Sequence, residues 1–207
     1  METTLTVRNV VLIGEFKVSN FDKYYFIKNQ IFSEEEISKT HFSNDLSHIE
    51  TNKFHLVIYS NQMILTALYP HDNDDLFDIL NRMIDTGSCN CDALGINYHY
   101  YIFSEGKTDE LSKKFFDLNN RFTNEIFNAE NVSYGYYVSK DIGSARLKLD
   151  IKPSNVRRVD TDIENKVLAF IFNFHIDLKA HDVKESILEA PMYKSECDKI
   201  MKYYEID

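Results

Sequence analysis

Tryptophan is absent from the 207-residue chain, and proline, cysteine and glycine are scarce, at three, three and six copies. So few glycines leave little material for loops whose bare backbone cradles phosphate. The P-loop, dinucleotide-binding and nucleophile-elbow glycine patterns do not occur. Cys89, Cys91 and Cys197 are odd in number, so no disulfide framework uses them all, and a reducing, cytoplasmic setting is expected. Apolar runs of the ~18–20 residues that cross a bilayer are missing, so no membrane association is expected. Met1-Glu2-Thr3-Thr4 is not the basic opening of a signal peptide. Basic side chains are in the minority: 23 Lys and Arg stand against 33 Asp and Glu, for a formal charge of -10. An acidic field repels polyphosphate and disfavours general nucleic-acid binding. Lys113-Lys114 and Arg157-Arg158 are the only adjacent basic pairs.

What the chain does have is apolar material. Hydrophobic residues make up 43% and charged residues 27%, the proportions of a globular protein, with 15 Phe and 13 Tyr to fill an interior. Val10, Leu12, Gly14, Phe16 and Val18 alternate with polar neighbours and predict a half-buried strand. Ser19-Asn20-Phe21-Asp22 resembles a helix cap, followed by the stripe Phe21, Tyr24, Ile27 and Ile31. The polar, acidic stretch from Ser33 to Ser47, including Ser33-Glu34-Glu35-Glu36, predicts a solvated loop. Lys53 to Tyr69 predicts two strands turning at Ser60-Asn61. His71-Asp72-Asn73-Asp74-Asp75 opens a helix that carries Leu76, Leu80 and Met83 and stops at Gly87. These carboxylates suit a helix start and lack the ordered ligand spacing of a calcium loop.

Asp92 to Phe103 predicts a strand. Thr108 to Phe127 predicts a helix with Leu111, Phe115, Leu118, Phe122 and Ile126 on one side. Asn131 to Ile151 predicts a hairpin turning at Asp141-Ile142-Gly143, and Val167 to Leu178 an apolar strand. A helix follows over Asp182–Ala190, interrupted by Pro191, and a further helical stripe runs Tyr193, Cys197, Ile200 and Tyr204. The expected architecture is α+β, with one or two mostly antiparallel sheets and helices on one face. The first half reads in ferredoxin-like β-α-β-β-α-β order and the second as α-β-β-β-α. A division at Ser104-Glu105-Gly106-Lys107 separates residues 1–105 from 106–207, as two packed halves or one continuous domain. Asn97-Tyr98-His99-Tyr100 and Asn173-Phe174-His175-Ile176 each end a strand at the same offset from a following helix, an echo shared by duplication or by chance.

Ala93-Leu94-Gly95-Ile96-Asn97-Tyr98 and Leu147-Lys148-Leu149-Asp150-Ile151, with a later strand carrying His175, resemble a sporadically distributed, uncharacterised bacterial family of about 200–270 residues, a length this chain matches. The resemblance implies a bacterial α+β protein and carries over no activity and no site residue.

Candidate chemistry lies in the strands. By the period of two, Asn173, His175 and Asp177 share a face, as do Asn97 and His99. Were the two strands neighbours, His99, His175 and Asp177 would be placed for proton transfer or metal coordination, with Asn97 and Asn173 as binding groups. The plainer reading is a face turning towards solvent. Arg157 and Arg158 would grip an anion or simply sit in an exposed loop. Cys89-Asn90-Cys91 lacks the partners of a structural zinc site. His41, His48 and His55 recur every seven residues without a helical stripe or an HExxH pattern, so no metal and no cofactor is expected. Tyr136, Tyr137, Tyr203 and Tyr204 would anchor a partner if exposed. Three functions follow, the third being nucleic-acid binding through Arg157 and Arg158. One is a non-catalytic interaction or structural module that binds a protein partner or itself. The alternative is a small metal-dependent or acid/base hydrolase using His99, His175 and Asp177.

Overall fold

A computed structural model describes residues 2–70, 75–87, 90–103, 112, 135–157 and 164–204. The elements, in chain order, are β1 (Glu2–Glu15), α1 (Lys23–Lys28), β2 (Ile37–Phe42), β3 (Ser47–Thr51), β4 (Phe54–Ile58), β5 (Gln62–Ala67), α2 (Asp75–Asp85), β6 (Asn90–Phe103), β7 (Tyr136–Ile142), β8 (Ala145–Arg157), β9 (Glu164–Asp177), α3 (Val183–Leu188) and α4 (Ala190–Tyr204). The nine strands form one sheet in the order β2-β3-β4-β5-β1-β6-β9-β8-β7, and every neighbouring pair is antiparallel.

The alternation read from the sequence builds one continuous apolar face. Leu12 stands between Met63 and Leu94, Val10 between Leu65 and Ile96, and Ile96 leads on to Phe174 and Leu147. Phe26 of α1, Leu76, Leu80 and Met83 of α2, Ile187 of α3, and Tyr193, Cys197 and Met201 of α4 join the same buried cluster. The described helices therefore lie on one side of the sheet. Local signals set their ends. The Asp22 carboxylate accepts from the Tyr25 amide at 2.8 Å to cap α1, and the Asp182 carboxylate accepts from Lys184 and Glu185 to cap α3. Pro191 falls in the first turn of α4, where its missing N–H costs nothing, so it opens a helix rather than breaking one.

The ferredoxin-like order of the first half is wrong. Four consecutive strands, β2 to β5, separate α1 from α2, where two were expected, and the strands belong to one sheet rather than two. The stretch Ser33–Ser47 is not all loop, for it contains β2. Its residues are exposed on both faces except for partly buried Ile37, so an edge strand formed there without an apolar alternation. In β3 the inward positions are Ser47, Ile49 and Thr51. Two of these are polar and are satisfied internally: Ser47 Oγ donates to the Phe21 carbonyl at 2.6 Å, and Thr51 Oγ1 accepts from the Phe54 amide at 2.8 Å. The expected helix Thr108–Phe127, the proposed division at residue 105, Cys89 and residues 71–74 lie outside the described residues, apart from Ser112, which is helical and buried. Strands from before and after residue 105 share the sheet, joined by the long β6–β9 pairing.

Candidate functional site: a cleft beneath an inward arginine

Arg8 shares the inward parity of Val10 and Leu12 in β1, and a bulge lies just before it. Leu5 faces Tyr100 and Val7 faces His99, so Thr6 is the extra residue in β1. The Thr6 hydroxyl donates to the His99 carbonyl at 3.1 Å across the irregularity. A bulge changes which side chains point to which face. Here it lets Leu5 and Arg8, three residues apart, share the helix-covered face. Arg8 is 9% exposed, stands beside Tyr98, and its guanidinium lies 5.3 Å from the centre of the Phe77 ring of α2.

Around it opens a cleft of about 1070 Å³ between α2 and the α3–α4 pair, floored by β1 and β6. Phe77, Tyr98, Tyr100, Ile187 and Met201 supply apolar surface. Arg8, Lys194, Lys199 and Lys202 bring positive charge against the carboxylates of Asp78 and Asp198. The Tyr100 hydroxyl donates to Asp198 Oδ1 at 3.1 Å, and Lys194 Nζ meets the same oxygen at 2.6 Å while lying 5.7 Å from the Tyr100 ring centre. Burial first, then the nearby Cys197 and Asp198, push the Tyr100 hydroxyl well above its ordinary value, so it remains a donor. Burial likewise raises the Cys197 thiol, which makes it a packing group rather than a nucleophile. In a chain of charge -10, this is a local concentration of cations around an apolar wall.

The residues singled out in the strands lie on the opposite face. Asn97 and Asn173 are directly paired, and Asn173 Nδ2 donates to Asn97 Oδ1 at 2.5 Å. Asn97 Nδ2 donates in turn to Asn9 Oδ1 at 2.7 Å, making a three-strand amide ladder. The histidines flank it on opposite sides. His99 stands opposite Ile171, while His175 stands opposite Gly95 and Arg146. Four residues of strand, roughly 13 Å, separate those positions. Asp177 is one further step out, opposite Ala93, and its carboxylate accepts from the Lys179 amide at 2.9 Å. The structure brings the two amides together but not the imidazoles. Burial, with a smaller effect of Lys152, lowers the His99 pKa. Arg157 ends β8 opposite Glu164, and Arg158 lies outside the described residues. Tyr137 and Tyr203 are 62% and 76% exposed, whereas Tyr136 and Tyr204 pack against the core.

A second polar cluster ties the β7–β8 hairpin to the helices. Glu189 Oε2 accepts from the Ser144 amide at 2.8 Å, the Ser144 hydroxyl at 3.0 Å and the Tyr193 hydroxyl at 2.6 Å. The Ser144 amide bond, then the Tyr193 bond, hold its carboxyl below the ordinary glutamate range. A carboxyl lowered in the folded state contributes stability that is present above its unfolded pKa and lost as pH falls through the folded value. Glu189→Gln is therefore expected to cost about 1 kcal/mol at neutral pH and to lose less stability than the parent on acidification to about pH 3. Urea midpoints at both pH values measure this. Parallel losses in parent and variant would remove Glu189 from the acid response.

Nine antiparallel strands backed on one side by the described helices, with a ligand-sized, cation-rich cleft between helix and sheet, define an α+β protein. No protein-family model matches the chain, and no curated protein matches it. No helix among the described residues is long and apolar enough to cross a membrane.

Sequence reading missed Arg8, Phe77, Lys194 and Asp198. A signal for Arg8 was present: it has the same parity as Val10 and Leu12, so it is an arginine at an inward strand position. Phe77 and Asp198 come from distant segments, and nothing local marks their meeting.

Proposed function

We propose that the protein is a non-catalytic interaction module whose cleft receives a carboxylate-bearing, partly apolar segment of a partner protein. The observation that carries this reading is Arg8, an arginine on the apolar face of β1 beside Phe77. A guanidinium suits the forked geometry of a carboxylate. Phe77 and Tyr98 provide the surface for the apolar part of the same ligand. A cytoplasmic setting belongs to this proposal, as does kinship with the uncharacterised bacterial family. Self-association through a different surface is a second reading, favoured by Tyr137 and Val138, 62% and 50% exposed on the edge strand β7. The hydrolase alternative gains no support from the placement of His99, His175 and Asp177, spread along two strands.

3-Phenylpropanoate and its uncharged amide test the cleft by calorimetric titration. The acid is expected to bind, the amide about tenfold more weakly, and Arg8→Gln to weaken the acid about tenfold or more. Lys202→Gln, at the exposed rim, is expected to have a smaller, salt-sensitive effect. Equal binding of acid and amide, or an unchanged affinity in a folded Arg8→Gln, would overturn the reading.

A further inference from the structure

At the far end of the sheet, the β2–β3–β4 meander gathers the histidines that recur every seven residues. His41 faces His48 directly across β2–β3. His55 faces Glu50 across β3–β4, one diagonal step from His48. His48 and His55 turn their rings edge to face, with centroids 4.6 Å apart at 87°, and their Nε2 atoms are 2.6 Å apart. One Nε2 must donate and the other accept, so both nitrogens are directed at one shared point. The two rings are half-buried on the sheet face away from the core, and His41 is exposed. The strands hold the imidazoles there without help from a ligand, which is the preorganisation a metal site needs.

We propose that His48 and His55 form the centre of a divalent transition-metal site, with His41 as the third ligand and water completing the shell. An ion would take the place of the shared proton. Metal–nitrogen bonds of about 2.0–2.1 Å set the two Nε2 atoms roughly 3.3 Å apart, so the rings separate by less than about 1 Å. Among the described residues no three such side chains already surround a common point. The third contact therefore comes from a rotamer change of exposed His41, which the register holds within cross-strand reach of His48. Imidazole donors select copper, zinc or nickel over calcium or magnesium, with Cu2+ the tightest. Glu50 stands by as a neighbouring carboxylate, already 3.1 Å from Lys39. The site is separate from the cleft, and its test does not depend on the cleft reading.

The test is a Cu2+ titration of the full chain, followed by calorimetry and electron paramagnetic resonance. One copper per chain is expected, with hyperfine structure from at least two nitrogens. His48→Ala and His55→Ala are each expected to weaken binding about tenfold or more and His41→Ala about threefold, while His175→Ala leaves it unchanged. If an alanine variant fails to fold by circular dichroism, His48→Gln and His55→Gln keep polar packing without the imidazole nitrogen and give the same reading. Unchanged affinity in folded His48 and His55 variants would overturn the proposal. So would a spectrum of amino-terminal copper common to every variant.

Discussion

Replacing Phe174 by alanine is expected to remove about 4 kcal/mol of stability, the middle of the range for emptying a buried aromatic site. Phe174 is fully buried in β9, between Ile96 of β6 and Leu147 of β8. Its ring stacks on Tyr193 of α4 at 4.7 Å and 17°, and meets Tyr98 edge-on at 6.2 Å. The loss is therefore double: transfer of the ring to water, and a hollow where sheet meets helix that its rigid neighbours cannot close. Urea unfolding reports it as a fall in midpoint at constant slope. Phe174→Leu should recover roughly half, since it restores volume without ring contacts. A loss under about 1 kcal/mol in Phe174→Ala would mean that α4 does not seat on this part of the sheet.

Gly14→Ala is expected to cost about 3 kcal/mol through the opposite defect, atoms with nowhere to go. A Cβ built on Gly14 falls 2.0 Å from the Asn90 carbonyl oxygen and 2.8 Å from the Cys91 Cα. Both are backbone, so no side chain can swing aside. Relief requires β1 and β6 to part at the register shift between Ile13 and Gly14, beside the Gly14 amide bond to the Asn61 carbonyl at 3.2 Å. Gly95→Ala is the control. Its Cβ meets nothing nearer than Asn173 Nδ2 at 3.6 Å, an ordinary contact, and the change should stay within about 1 kcal/mol. If the two variants unfold at the same urea concentration, the close approach at Gly14 is not real.

The contrast between these sites shows what a chain displays along its length. Inward stripes such as Leu168 to Ile176, and helix starts such as Asp182, are local patterns and were legible. β2 and β3 were not, because an edge strand needs no apolar face and because Ser47 and Thr51 satisfy their hydroxyls in the interior. Extra strands also hid the sheet order, since adjacency depends on which distant segments pair. The sevenfold recurrence of His41, His48 and His55 was visible, but without the meander it had no geometry. That Asn97 shares a face with His99, and Asn173 with His175, was legible within each strand. The direct contact of the two amides depends on a register that alternation alone does not set.

The amino-proximal strand has a consequence for synthesis. β1 lies in the middle of the sheet, yet Glu2 is paired with Phe103 and Arg8 with Ala67. During translation this apolar ribbon leaves the ribosome long before either flanking neighbour exists, with a sticky edge on each side. Such distant closures slow folding and lengthen exposure to aggregation. The nascent chain should thus depend on holding chaperones until residue 103 has emerged, and ribosome-arrested chains ending before that point should be more protease-sensitive than longer ones.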